Sequence, residues 1–275
     1  WIIGANSAFH GRTMATISAG NNAKHLEGFG PRVDGFDHVA FNNLNELRAA
    51  ITEETAAVLV EPIQGEGGIA PADLSYLIAL RETCDEFGIL LIFDEVQCGV
   101  GRTGRLFAHQ WADGAADPDL MAVAKGIGGG FPLGCFMGTT RAMAGISAGM
   151  HGTTYGGNPL ASRIGCAVMD VMMQPGFLDR VYQVSNRLWD EMGAVVDANP
   201  HVYQLRRGAG LMQGVMITEP HTCGEIVARL RDEHHLLTVP AGQNVIRLLP
   251  PLIVSDAEID QAVAAFAAVA AALKI

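Results

Sequence analysis

Two short apolar runs, each stopped by an ionisable side chain, constrain this chain more than any other feature. Gly88-Ile-Leu-Leu-Ile-Phe93 runs into Asp94-Glu95. Leu120-Met-Ala-Val-Ala124 runs into Lys125, which Gly126-Ile-Gly-Gly-Gly130 follows. Short runs rich in Ile, Leu, Val and Phe read as buried strands. The 31-residue step from Asp94 to Lys125 suits a crossover between parallel neighbours, which takes roughly 30 residues or more. Both polar residues would then stand at the carboxyl ends of strands, where open α/β sheets bind their ligands.

A carboxylate and an amine at such a rim are open to two readings. One is an ion pair, or Asp94 as a helix N-cap with Lys125 a solvated strand end. The other is a pyridoxal phosphate site. There, a lysine forms a Schiff base with the cofactor aldehyde, and an aspartate keeps the pyridine nitrogen protonated so that the ring withdraws electrons. The neighbours favour the second. Gln97 is within reach of a ring substituent, Val96 can pack on a flat ring face, and the glycines from Gly126 onward allow close backbone approach. Gly99-Val-Gly101-Arg-Thr-Gly104 fits G-x-G-x-x-G. A dinucleotide site also needs a helix opening on the glycines and an acidic residue ending a second strand about 20 residues on. Neither is present, so a nicotinamide site is not expected. No G-K-[ST] follows a glycine loop, which excludes a P-loop.

Composition narrows the class. The 275-residue chain is 49% hydrophobic and 17% charged, enough to bury a sizeable core in one or two domains. A net charge of −11 argues against a nucleic-acid or anionic-membrane partner. The longest apolar stretch, 262–273, falls short of the ~18 residues of a membrane span, and no secretory leader is visible. Cys84, Cys98, Cys135, Cys166 and Cys223 stand singly, without metal-ligand spacing. No metal is expected, and the thiols suit a reducing, cytoplasmic setting.

In chain order, a strand-like start at Trp1-Ile-Ile3 leads to a turn at Phe9-His-Gly-Arg12. Residues 21–43 read as an irregular loop. Helix is expected over 44–51, 74–87 with Gly88 closing it, 159–173, 177–198, 223–235 and 256–274, the last with Ser255 as N-cap. Strand is expected over 56–60, 135–138, 202–206, 210–217, 236–239 and 245–249. Residues 139–151 read as a loop. The texture changes near Asn158, which divides the chain into residues 1–157 and a smaller α+β domain at 158–275. Several residues carry a plain and a functional reading side by side. Phe9 is a core aromatic or a ring stacked on a cofactor. Arg12 is a surface ion pair or a planar fork for a carboxylate. Thr153 and Thr154 are turn caps or phosphate and substrate contacts. Arg247 is a structural arginine or a carboxylate clamp. Glu61 is as structural as it is functional, His10 is a turn or packing residue, and Cys98 is a packed small residue.

Five motifs in order carry a resemblance: Ser7-Ala-Phe-His-Gly-Arg-Thr13, Val60-Glu-Pro-Ile-Gln-Gly-Glu-Gly67, Asp94-Glu-Val-Gln97 with Lys125-Gly-Ile-Gly-Gly-Gly130, His151-Gly-Thr-Thr-Tyr-Gly-Gly-Asn-Pro-Leu160, and Ile246-Arg-Leu-Leu-Pro-Pro-Leu252. From end to end the chain resembles the class III aminotransferases, pyridoxal phosphate enzymes of fold type I. The resemblance implies a mostly parallel central sheet flanked by helices, with a smaller C-terminal α+β domain. It implies Lys125 and Asp94 as catalytic residues, and Phe9, Asp94, Val96, Gln97, Lys125 and Thr154 around the cofactor. Thr154 would serve the cofactor of a neighbouring subunit, which implies a homodimer with a shared active site. Substrate would meet Arg12, Glu66, Thr153 and Arg247, with Glu66 pairing with Arg247 whenever that arginine is not holding the α-carboxylate of glutamate.

The motifs look most like those of members that move the ω-amino group of N2-acetylornithine to 2-oxoglutarate, giving N-acetylglutamate 5-semialdehyde and glutamate for arginine biosynthesis. Members acting on ornithine, succinylornithine or 4-aminobutyrate share these motifs. A pyridoxal phosphate racemase or aminomutase, or an inactive dimerising fragment, are further alternatives. The family carries a segment before this point that includes a Gly/Ser/Thr loop for the cofactor phosphate. No counterpart is present here, so the sequence reads as a fragment or as a protein numbered from an internal residue.

Overall fold

The computed structural model describes residues 1–273; position 274 of the expected last helix lies outside the described residues. The strands are β1 (Ile2–Ala5), β2 (Phe36–Val39), β3 (Ala57–Val60), β4 (Ile63–Gln64), β5 (Ala70–Pro71), β6 (Leu90–Asp94), β7 (Leu120–Val123), β8 (Cys135–Gly138), β9 (Tyr203–Ala209), β10 (Met212–Ile217), β11 (Val239–Ala241) and β12 (Val245–Leu248). A six-stranded sheet has the order β2-β1-β3-β6-β7-β8. Its pairs are parallel except β7–β8, which is antiparallel. A four-stranded antiparallel sheet has the order β11-β12-β10-β9, and β4 and β5 form a small ribbon. The architecture is α/β with a mostly parallel central sheet and a C-terminal antiparallel sheet, as the motifs imply.

Each sheet has its own core. Ile3, Val58, Leu91 and Phe93 on the large sheet pack with Leu47 of helix Leu44–Ala50 and with Leu77, Leu80 and Cys84 of helix Leu74–Phe87. That apolar stripe is what makes the segment helical, and Gly88 ends it at φ 69°, where a Cβ would strain. Val184, Leu188 and Met192 of helix Phe177–Ala198 pack with Tyr203, Val215, Ile246 and Phe266 against the small sheet.

The 94-to-125 crossover joins parallel neighbours, with Asp94 in register with Ala122. It holds turns and a short 3-10 helix, Ala108–Ala112, rather than an α-helix. The glycines at 99, 101 and 104 lie in turns, so no helix opens on them.

Four expectations need correction. Residues 21–43 contain a short helix, Ala23–Leu26, and β2, the edge strand of the large sheet. Of Phe36-Asp-His-Val39 only Val39 is fully buried, so the strand lacks an apolar signature. Helix Met14–Gly20 follows the Phe9–Arg12 turn, capped by Thr13. Helix Thr140–Met143 interrupts the expected 139–151 loop. Both are too short to display a period. Finally, the strand expected at 236–239 lies at β11, because His235 ends helix Cys223–His234 in a left-handed turn and the chain pairs only from Val239. Among the described residues, no helix is long and apolar enough to cross a membrane, and no cluster of three or more His, Cys, Asp or Glu could hold a metal.

Candidate active site

On one rim of the large sheet, Asp94 ends β6 and Lys125 follows the end of its neighbour β7 by two residues, opening a short 3-10 turn. Asp94 is buried, and each oxygen has a partner: Oδ1 accepts the Val96 N–H at 3.0 Å, and Oδ2 lies 2.8 Å from His10 Nδ1. The His10 contact corrects the turn-or-packing reading, because only the fold brings residues 84 positions apart together. His10 Nε2 is buried with no partner. Lys125 sits at φ 43°, a left-handed conformation that a lysine adopts only when its surroundings require it. Desolvation lowers its pKa, and the positive field of Arg247 adds to this. The carboxylates of Glu66, Glu61 and Asp94 pull the other way. The net effect moves the amine toward its neutral, nucleophilic form.

A cavity of about 950 Å³ opens beside Lys125, between the two sheets. Glu66, Gln97, Lys125 and Arg247 line it, with Gly126, Gly128, Gly129 and Gly130 on the Lys125 side. Arg247 is buried on β12 and its Nη1 is 2.6 Å from Glu66 Oε1; its Nε has no partner. Gln97 lies beneath Gly65, where a Cβ would fall 1.9 Å from Gln97 Oε1, and that oxygen is unpartnered.

The remaining predicted residues stand elsewhere. Asp94 and Val96 lie at the strand rim and are not among the cavity-lining residues. The Phe9 ring meets His25 edge-on at 5.6 Å, and Arg12 lies over the same ring at 5.3 Å. Arg12 and Glu66 act in opposite senses on the His25 pKa, which is lowered chiefly by burial, so Arg12 and Glu66 flank the same corner. Thr153 and Thr154 are on an exposed loop, where Thr153 Oγ1 accepts the Gly156 N–H at 3.2 Å. Within this chain they do not reach the cavity.

Glu61 joins the site through burial. It accepts the Phe9 N–H at 3.2 Å, and burial followed by the nearby Asp94 charge pushes its carboxyl pKa well above the usual range. Glu95, next to Asp94, is fully buried and anchors the crossover. It accepts the N–H groups of Ala108 and His109 at 2.7 and 2.9 Å and lies 2.8 Å from His109 Nδ1.

Such an arrangement can hold a flat, electron-poor ring with an aldehyde near Lys125. Two residues of its lining, Gln97 and Arg247, carry buried polar atoms without partners, a carboxylate waits at the strand rim, and glycines leave room beside the amine. The residues present fit pyridoxal phosphate on these grounds.

The chain belongs to the class III aminotransferase family, whose profile matches residues 1–270. It is 54% identical over 261 residues to the acetylornithine aminotransferase of Mesorhizobium japonicum, covering 95% of this chain and 64% of that protein. It is 53% identical over 272 residues to the acetylornithine aminotransferase of Agrobacterium fabrum, covering 99% of this chain and 67% of that protein. The chain thus spans about two thirds of the length of these curated relatives. Among solved structures, the ornithine aminotransferase of Toxoplasma gondii ME49 superposes with a TM-score of 0.93 at 30% identity, covering 99% of this chain and 65% of that one. The N-acetylornithine aminotransferase of Stenotrophomonas maltophilia gives 0.80 at 31% identity, covering 98% and 65%.

Proposed function

We propose that the whole protein is a pyridoxal phosphate-dependent aminotransferase that takes the ω-amino group of N2-acetylornithine and passes it to 2-oxoglutarate. The observation that carries this reading is the pair of strand ends: a buried Asp94 and a desolvated Lys125 on neighbouring parallel strands, beside a cavity that also contains a Glu66–Arg247 ion pair. The identities to acetylornithine aminotransferases support the substrate.

Bound here, pyridoxal phosphate supplies an aldehyde carbon and a ring that accepts electron density. The chain's own residues do the rest. Asp94 would keep a proton on the ring nitrogen, its carboxylate oriented by His10. Lys125 would hold the aldehyde end of the cofactor, and its desolvated amine would carry a proton at the substrate carbon; positioned acid–base work of this kind contributes about 10²–10⁴-fold. Val96 and Phe9 pack on the ring, and Gln97 contacts a substituent. Thr154 reaches the cofactor phosphate of a partner subunit in a homodimer. Residues 1–157 form the cofactor domain and 158–275 the smaller one.

Two unlike substrates share the site. An ω-amine donor keeps its carboxylate far from the reacting carbon, at Arg12, while Glu66 neutralises Arg247. Glutamate reacts beside its α-carboxylate and takes Arg247 instead, displacing Glu66. The singly spaced, unpaired cysteines and the net charge of −11 support a cytoplasmic reaction without a nucleic-acid or anionic-membrane partner.

The test uses the cofactor-loaded protein. Borohydride reduction followed by peptide mass analysis is expected to leave the cofactor mass on Lys125, and N2-acetylornithine is expected to outpace ornithine, succinylornithine and 4-aminobutyrate. Cofactor on another residue sinks the lysine assignment. A faster rival amine moves the substrate to that amine, and turnover without 2-oxoglutarate points to a racemase or aminomutase.

A further inference from the structure

The Glu66 carboxylate is the movable half of the proposed clamp, and the structure anchors its main chain in an unexpected place. Residues 65–69 cap the β4–β5 ribbon, which follows β3 of the large sheet, yet the loop is fastened to the small sheet. Ile69 is fully buried at φ 53°, and its side chain fills the space where Gly208 of β9 and Gly214 of β10 carry no Cβ. The Gly242 N–H, at the tip of the β11–β12 hairpin, donates to Glu66 O at 3.1 Å. Arg207 of β9 donates from Nε to Gly68 O, and from Nη2 to Gln243 Oε1 at 2.8 Å.

Arg207 therefore clasps the Glu66 loop and the hairpin tip together. Its planar guanidinium aims two donors at two acceptors on different segments, which a single ammonium cannot reproduce. Gly68 makes room for it: at φ 102°, a Cβ there would lie 2.4 Å from Arg207 Nη2 and 2.5 Å from Gly242 O. Gln243 and Asn244 also take left-handed turns, at φ 60° and 57°. Arg247 is on β12, which begins just after that turn, so the same clasp sets the distance between Arg247 and the Glu66 backbone.

We propose that Arg207 is a positioning residue for substrate discrimination. It holds the Glu66 main chain at a fixed height over Arg247, so that the ion pair opens only by rotation of the Glu66 side chain. The clasp keeps the pair closed against dicarboxylates until one competes for Arg247. This rests on the clamp reading given above. Loosening the clasp weakens Glu66 as a competitor, so an acceptor-like dicarboxylate binds more tightly, whereas general structural damage would weaken it.

The experiment is calorimetric titration of the cofactor-loaded, full-length protein with glutarate, a dicarboxylate that has no amine to react. Glu66→Ala sets the scale. Arg207→Lys keeps the charge and loses the fork; Gln243→Asn shortens the bracing side chain while keeping a residue that tolerates the left-handed turn. Arg207→Ala is the full deletion, and the two milder variants carry the test if it does not fold. Glu66→Ala is expected to tighten glutarate binding by about tenfold, and Arg207→Lys and Gln243→Asn by about two- to fivefold, in keeping with typical coupling between neighbouring groups. In parallel, kcat/KM for the ω-amine is expected to fall relative to that for glutamate. If Glu66→Ala tightens glutarate while the Arg207 and Gln243 variants match the wild type or bind it more weakly, the positioning role is overturned and the clamp stands. If Glu66→Ala itself leaves glutarate unchanged, the clamp reading falls and takes this proposal with it.

Discussion

At the scale of single residues, the site depends on charges kept out of water and held in place by neighbours. Asp94 is buried with one oxygen on a main-chain N–H and the other on His10. Its charge is therefore oriented before any ligand arrives, which is where electrostatic catalysis gains most. Asp94→Asn preserves the shape and can still accept the Val96 N–H, so it is expected to fold with a wild-type melting temperature. It removes the charge that would face a ring proton. Breaking a buried charge pair costs ~3–5 kcal/mol, or roughly 10²–10⁴-fold in turnover. Steady-state kinetics check this, and near-wild-type kcat in a loaded Asn variant would remove Asp94 from its role. Asp94 and Lys125 were legible in the sequence because each stops an apolar run, whereas Glu66 and Arg247 stood out only through the family resemblance of their motifs. His10 and Glu61 were not, since nothing local tells a buried polar residue which distant group it meets.

At the scale of elements, the helix Leu74–Phe87 delivers the chain into β6, and so sets where Asp94 emerges. Its stop is Gly88, whose left-handed backbone lets its N–H reach the Asp85 and Cys84 carbonyls. Space is no obstacle to a side chain there, since nothing lies within 4 Å of an added Cβ. The cost of Gly88→Ala is thus conformational, about 1 kcal/mol, read as a lower urea midpoint with an unchanged slope. A midpoint equal to wild type would show that the turn does not depend on glycine. Long amphipathic helices and capped ends were readable because period and caps are local properties. Helix Phe177–Ala198 matches its sequence-based bounds, and Ser255 caps Asp256–Ala272 as expected. The edge strand β2 was not readable, because its pairing comes from β1 and not from its own side chains.

At the scale of the whole molecule, Asp119 is the node of the large sheet. It accepts the Leu91 N–H of β6 at 3.0 Å, Arg81 of helix Leu74–Phe87 at 2.7 Å and Arg141 of the segment after β8 at 2.6 Å. Burial would raise its pKa, but the Leu91 N–H and the two guanidinium groups outweigh it and hold the carboxyl below its ordinary value. The unfolded chain therefore binds a proton first as pH falls. The stabilisation is complete above the unfolded aspartate value, ~3.9, and is lost as pH falls through the lower folded value. Urea unfolding of the wild type and Asp119→Asn is expected to show its widest gap near neutrality and a narrowing gap below about pH 4. A gap independent of pH would mean the carboxylate charge contributes nothing to the tie.

The sequence by itself determined the α/β class, the two strand ends that bear Asp94 and Lys125, and membership of a family, because strand period, helix caps and ordered motifs are written in neighbouring residues. Only the tertiary structure decided that residue 10 meets residue 94 and that a loop of the large sheet is clasped by Arg207 of the small one. Those contacts join positions 84 and 139 residues apart. Such distances are closed by the collapse of two cores onto each other, and no local preference encodes them.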